Sequence, residues 1–127
     1  MDRKILVVDD DGFIREILER FLKKKGYTVS AVADGKGALR EIRDWKPDII
    51  ILDVCMEGID GFDMLNLAKR INPSVGVIMI SGYLDKGISQ RAKKEGVIEY
   101  VPKPFSLKYI EALIAKVYQR GKFFKNT

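Results

Sequence analysis

A run of four large apolar residues, Ile49, Ile50, Ile51 and Leu52, lies between two aspartates near the middle of the chain. A short β-branched run without polar alternation is typical of a strand buried on both faces. Such strands form the centre of a parallel sheet that is covered by helices on both sides. Asp53 then lies at the carboxyl end of this strand, the edge where open α/β sheets hold their ligands. We expect Asp53 to have partners there, because an unpaired buried carboxylate is costly.

The rest of the chain alternates between short apolar strands and segments with helical apolar spacing. Besides the central strand, strands are predicted at 4–8, 27–32, 75–80 and 97–101. Asp11 and Ser106 are candidate caps of the first and last helices, and Gly26 is expected to end the first helix. The pattern predicts five strands and five helices in a doubly wound α/β domain with a parallel sheet and right-handed crossovers.

The composition excludes several classes of site. The 127 residues fit one domain, and the chain contains no histidine, so a Ser-His-Asp site or a zinc site built on imidazole is excluded. Cys55 is the only cysteine, which rules out an internal disulfide and favours a reducing compartment. No apolar run approaches the roughly 18 residues that span a bilayer. We therefore expect a cytoplasmic protein without a membrane segment.

The net charge of +5 comes from basic residues scattered along the chain. Dispersed charge is most simply a solvated surface, whereas nucleic-acid binding needs a contiguous basic stripe or a reading helix. The sequence displays neither feature, so direct nucleic-acid binding by this domain is not expected.

Polar residues follow four of the predicted strands. Asp9 and Asp10 follow the first strand, Asp53 ends the third, Ser81 follows the fourth, and Lys103 comes after the fifth. Singly, each could be a solvated turn, a helix cap or a surface charge. Together, the carboxyl ends of parallel strands would place them along one edge of the sheet. Three close carboxylates repel one another unless a cation lies among them, and Mg²⁺ is the natural ion for carboxylate and phosphate oxygens.

Such a site has the parts for phosphoryl transfer. Asp53 can act as a nucleophile that forms an aspartyl phosphate, while the metal and Lys103 neutralise the phosphoryl oxygens and Ser81 donates a hydrogen bond. The sequence contains no Walker loop and no dinucleotide fingerprint. Phosphate handling by those routes is therefore not indicated.

The residues at these strand ends resemble the receiver domain of bacterial two-component response regulators, the CheY-like family. The resemblance runs from Lys4 to Arg120. It is carried by the motifs Val7-Val8-Asp9-Asp10, Leu52-Asp53-Val54-Cys55-Met56, Asp60-Gly61, Ile80-Ser81-Gly82-Tyr83 and Lys103-Pro104-Phe105. It implies a flavodoxin-like (βα)5 fold with strand order 2-1-3-4-5. The receiver domain would occupy residues 1–120, and residues 121–127 would be a tail or the start of a linker.

The resemblance also implies a metal site. Asp53 would be the phosphoacceptor and also a Mg²⁺ ligand. Asp10 would be the principal acidic ligand, Asp9 would belong to the same cluster, and the backbone carbonyl of Cys55 would complete the protein ligands. The family usually has proline where this chain has Glu57, which would leave that loop more mobile and add a negative charge.

The remaining implied roles belong to the switch. Ser81 would be the switch hydroxyl, Lys103 the phosphate-sensing cation and Tyr100 the switch aromatic residue, while the Lys103-Pro104 bond would be cis. Phosphorylation would draw Ser81 toward the phosphate, and Tyr100 would turn inward. The fourth helix, which contains Gly87 and has a weak apolar stripe, would be the element that moves.

The resemblance finally implies partners. The donor would be a sensor histidine kinase or a histidine phosphotransfer protein, since the chain has no histidine of its own. The face formed by the fourth helix, fifth strand and fifth helix would bind an effector or a second copy of the domain. Such a domain is not an enzyme beyond its own phosphoryl transfer and autodephosphorylation. Two rival readings are a Mg²⁺-dependent phosphatase or phosphotransferase acting on small molecules and a scaffold that only binds proteins.

Overall fold

The computed structural model describes residues 3–82 and 85–125, and it describes side chains up to Gln119. Within that part of the chain, five strands alternate with five helices. In chain order they are β1 (Lys4–Val8), α1 (Gly12–Lys24), β2 (Thr28–Val32), α2 (Gly35–Asp44), β3 (Ile49–Asp53), α3 (Gly61–Ile71), β4 (Gly76–Ser81), α4 (Lys86–Lys94), β5 (Glu99–Pro102) and α5 (Leu107–Lys125).

The five strands form one parallel sheet with the order β2-β1-β3-β4-β5. This confirms the predicted doubly wound fold. The register aligns the carboxyl ends of the central strands, because Val8 pairs with Leu52 and Asp53 pairs with Ile80. Residues that directly follow β1, β3 and β4 therefore meet at the same edge of the sheet.

The central strand β3 is buried along its whole length, as its continuous apolar run predicts. Its side chains alternate between two hydrophobic cores. Ile50 and Leu52 face the core that also contains residues of α2, α3 and α4. Ile49 and Ile51 face the core that contains residues of α1 and α5. Helices on both faces thus hold β3 rigidly and fix the position of Asp53 at its end.

Short polar side chains begin the helices. The side chains of Asp11, Asp34, Asp60 and Asp85 accept hydrogen bonds from backbone N–H groups in the first turns of α1, α2, α3 and α4. Ser106 Oγ accepts one from Tyr109 N at 3.3 Å at the start of α5. The predicted caps Asp11 and Ser106 are therefore confirmed, as is Gly26, whose φ of +96° lies just beyond the end of α1.

Several boundaries differ from those predicted. The strand predicted at 97–101 begins at Glu99, because Val97 N donates to Ala92 O and Val97 therefore belongs to the turn that follows α4. The strand predicted at 75–80 runs one residue further and includes Ser81. The backbone of α5 is helical to Lys125, so most of the segment 121–127 predicted as a tail or linker continues the helix. Among the helices that the structure describes, none is long and apolar enough to cross a membrane.

Candidate functional site

Asp53 lies at the carboxyl end of β3 with only 3% of its surface exposed. Its Oδ1 accepts a hydrogen bond from Cys55 N at 2.9 Å, which ties the side chain to the turn that follows the strand. Its Oδ2 accepts a hydrogen bond from Lys103 Nζ at 3.1 Å. The expectation that this carboxylate has partners is therefore met by one backbone donor and one ammonium group.

Asp9 is fully buried, whereas the neighbouring Asp10 is exposed. Asp9 Oδ1 accepts a hydrogen bond from Asp11 N at 2.9 Å, and its Oδ2 lies 3.1 Å from Lys103 Nζ. Burial raises the pKa of the Asp9 carboxyl, and the Asp53 charge adds to this increase, while the Asp11 N–H and Lys103 act in the opposite direction. Burial therefore disfavours the charged form of Asp9 in the folded protein. Carboxylates with such a shifted pKa are typical of functional sites.

Lys103 joins the two buried acids, because its Nζ is 3.1 Å from Oδ2 of both Asp9 and Asp53. Its position is set from β4, since Lys103 N donates to Ser81 O at 2.7 Å. The Lys103-Pro104 bond is cis, as predicted. Burial alone would lower the pKa of Lys103, but its close contacts with the carboxylates of Asp53 and Asp9 outweigh burial and raise it. The ammonium group is thus held charged between the carboxylates.

Ser81 is fully buried at the end of β4. Its Oγ lies 3.4 Å from Cys55 Sγ, a contact that the sequence did not indicate. The structure therefore brings Ser81 and Cys55 to the same edge as the acids and Lys103. Tyr83, part of the motif that contains Ser81, lies outside the described residues.

Tyr100 lies in β5 and is 7% exposed. Its side chain belongs to the core between the sheet and helices α2 to α4. The inward position that we expected phosphorylation to produce is thus the position that the structure contains.

Arg15 is a site residue that the sequence analysis missed. It lies in the first turns of α1, and its Nη1 donates to the backbone carbonyl of Asp9 at 2.8 Å. This bond fixes the segment that carries the two acids after β1. A basic residue five positions after Asp10, near the start of the predicted first helix, is the signal that could have found it.

Oxygen ligands for a divalent cation converge at this edge. One carboxylate oxygen from each of Asp9, Asp10 and Asp53 can be chosen so that all three lie within 4.8 Å of one another. Among the described residues, no donor makes a hydrogen bond of good geometry to the buried Asp9 Oδ2, although Lys103 Nζ is close. Carboxylate oxygens are the ligands that hard divalent cations prefer, so the residues present fit such an ion.

Comparison with known proteins agrees with this geometry. Residues 5–115 match the family model described as "Response regulator receiver domain". The chain is 33% identical over 116 residues to Sporulation initiation phosphotransferase F of Bacillus subtilis, covering 91% of this chain and 94% of that protein. It is 36% identical over 108 residues to Nitrogen assimilation regulatory protein NtrX of Azorhizobium caulinodans, covering 84% of this chain but only 24% of that protein.

Solved structures show the same fold. A response regulator receiver domain protein from Clostridium thermocellum is 30% identical with a TM-score of 0.87, and the match covers 95% of this chain and 98% of that chain. NtrX from Brucella abortus is 28% identical with a TM-score of 0.90, and the match covers 99% of this chain and 29% of that chain. The family match, the sheet order and the site geometry lead to one conclusion: the chain belongs to the response regulator receiver domain family.

Proposed function

We propose that Asp53 accepts a phosphoryl group from a phosphohistidine and that the domain uses this modification as a signal. The observation that supports this most directly is the position of Lys103 Nζ, 3.1 Å from both Asp9 and Asp53. A cation held between two buried acids is well placed to pair with phosphoryl oxygens when Asp53 is modified. Family membership of residues 5–115 supports the same role.

In this proposal, Asp9, Asp10, Asp53 and the backbone carbonyl of Cys55 would hold Mg²⁺. The ion would supply positive charge against the phosphoryl oxygens. An oxygen of Asp53 forms a bond to phosphorus while the phosphorus–nitrogen bond of the donor breaks, and the leaving imidazole keeps the electron pair. Lys103 and the Ser81 hydroxyl then bind phosphoryl oxygens, and attack of water on the same phosphorus returns Asp53 to a free carboxylate.

The donor is proposed to be a sensor histidine kinase or a histidine phosphotransfer protein, since the chain has no histidine. Ser81 and Tyr100 would act as the switch pair. The face formed by α4, β5 and α5 would then bind an effector or a second copy of the domain. Four basic side chains on α4 make an acidic partner surface suitable: Lys86, Arg91, Lys93 and Lys94.

The wider setting is also a proposal. We propose that residues 1–120 form the receiver unit, that residues 121–127, which begin as a continuation of α5, are a tail or the start of a linker, and that the domain works in the cytoplasm without contacting nucleic acid directly. The chain spans about a quarter of the length of NtrX but almost all of Sporulation initiation phosphotransferase F. The output of the whole protein depends on which of these organisations it shares.

The proposal is tested by incubating the protein with Mg²⁺ and acetyl phosphate and measuring its intact mass. We expect one phosphoryl group per chain, stable in acid, released by hydroxylamine, and absent in Asp53→Ala. Asp44→Asn, which removes an exposed carboxylate at the end of α2, should leave the adduct unchanged. No adduct on the wild-type protein would favour the scaffold reading, and steady turnover of many phosphate esters would favour the phosphatase reading.

A further inference from the structure

Arg91 of α4 covers an aromatic ring of α3. Its guanidinium carbon lies 4.0 Å from the centroid of the Phe62 ring. Glu95 Oε2 accepts a hydrogen bond from Arg91 Nε at 2.6 Å, which orients the guanidinium group from the residue that directly follows α4. The Phe62 residue is buried, while the Arg91 side chain remains 57% exposed. A cation above the face of a buried ring, held in place by a carboxylate, is a favourable cation–π contact.

Among the described residues, α4 buries little apolar surface, and its Lys93 Nζ lies 3.5 Å from Glu99 Oε1 of β5. Ala92 is the buried residue of the helix, and Ile88 packs against the same core while only partly buried. Gly87 in the first turn lowers the helix propensity further. A helix with so little buried apolar surface opens easily. The Arg91–Phe62 contact therefore adds to the limited set of contacts that hold α4 against the rest of the domain.

Phe62, the aromatic partner in this contact, is next in sequence to a residue that packs against the segment beside Asp53. Phe62 follows Gly61, which packs so closely that a Cβ atom built there would lie 3.1 Å from Val54 Cα. Val54 is the residue after Asp53. The start of α3 therefore rests on the backbone next to the acid, and a shift of that backbone must move the start of α3 because close-packed atoms transmit displacement.

We propose that the Arg91–Phe62 contact is a latch that couples α4 to the segment 54–62 beside Asp53. The path runs from Val54 through Gly61 and Phe62 to Arg91. It does not pass through Ser81 or Tyr100, so it is a second connection between the site and α4. Because coupling is reciprocal, breaking the latch loosens both ends, α4 and the segment 54–62. The latch acts in the unmodified protein and does not depend on phosphorylation of Asp53.

The latch is tested by amide hydrogen exchange of the unmodified protein, with Arg91→Met as the main variant. Methionine keeps an apolar stem of similar reach and removes the guanidinium group. We expect the amides of α4 and those of residues 54–62 to exchange about two- to fivefold faster, the size of effect that a partly exposed cation–π contact gives. Amides of β1 and β3 serve as the reference for global stability and should change less.

Lys94→Met is the matched control, because Lys94 is an exposed cation of the same last turn of α4. It should leave both segments unchanged. Phe62→Leu keeps an apolar side chain but lacks the aromatic ring face. In the Phe62→Leu background, Arg91→Met should therefore accelerate exchange by less than half as much as it does in the wild-type background. Faster exchange confined to α4, equal effects of Lys94→Met and Arg91→Met, or an undiminished effect in the Phe62→Leu background would overturn the proposal.

Discussion

Single residues set the character of the acidic edge. The sequence predicted that Asp9, Asp53 and Lys103 would converge, because each follows a strand of a parallel sheet. It could not predict that Lys103 Nζ lies at the same distance of 3.1 Å from both acids, since that depends on side-chain conformations. Nor could it predict that Asp9 rather than Asp10 is the fully buried acid of the pair.

Tyr118 provides a prediction at the same scale, away from the acidic edge. Its hydroxyl donates to Asp48 Oδ2 at 3.1 Å, and its ring stacks on Tyr27 with centroids 5.8 Å apart. Burial, then the Asp48 charge and this hydrogen bond, hold the pKa of Tyr118 well above its ordinary value of 10.0. The unfolded chain therefore loses this proton first as the pH rises, and the stability that neutral Tyr118 contributes is lost above about pH 10.

We expect Tyr118→Phe to lower the free energy of unfolding by about 1 kcal/mol at pH 8, because one hydrogen bond to a carboxylate is lost. Above pH 10 the wild-type protein should lose up to about 1.4 kcal/mol per pH unit through this one group, while the variant should not. Urea unfolding of both proteins at pH 8, 10 and 11 measures the difference. A difference that stays constant over this range would contradict the assigned role of Tyr118.

At the scale of elements, the ends of the helices show what local sequence encodes. Glycines with positive φ follow α1 and α4 at Gly26 and Gly96, and the sequence correctly predicted the first of these. The end of α2 differs, because Lys46 has a φ of +56° and its N–H donates to Glu41 O at 3.0 Å. Pro47 predicted that the helix would end, but no local signal places a lysine in the left-handed region. The hydrogen bond to the last turn of α2 holds it there.

Lys46→Gly should therefore stabilise the protein. A residue with a Cβ atom in the left-handed region costs about 1–2 kcal/mol, and the greater freedom of glycine in the unfolded chain offsets part of that gain. We expect a net increase of about 0.5–1 kcal/mol in the free energy of unfolding, measured by urea denaturation. Lys25→Gly is the matched control, because Lys25 has a φ of −85° and glycine there should lower stability. Equal destabilisation by both changes would refute this explanation.

At the scale of the whole molecule, the apolar pattern predicted five parallel strands between two layers of helices. It also predicted that β3 is central, from the continuous run of four large β-branched and apolar residues that ends at Asp53. The order β2-β1-β3-β4-β5 was implied only by family resemblance, because the apolar pattern of a strand does not specify its neighbour. The sheet order and the aligned strand ends together bring carboxylates from two distant parts of the chain to one place.

A divalent cation bound at this edge would link its own binding to the stability of the whole domain. An ion that binds the folded acidic edge and not the unfolded chain stabilises the fold by about 1.4 kcal/mol at ten times its dissociation constant, or a shift of about 5 °C in Tm. We expect Mg²⁺ to produce such a shift in the wild-type protein, and Asp10→Asn to abolish most of it. Without a cation the three carboxylates repel one another, so replacing the exposed Asp10 should leave Tm in EDTA unchanged or slightly higher. Asp44→Asn, which removes an exposed carboxylate of α2, should respond to Mg²⁺ like the wild type.

Scanning calorimetry with and without Mg²⁺ measures these shifts in Tm. A cation held at this edge must lose affinity when one of its three converging carboxylates is removed. An equal shift in Asp10→Asn and in the wild-type protein would therefore show that Mg²⁺ binds elsewhere.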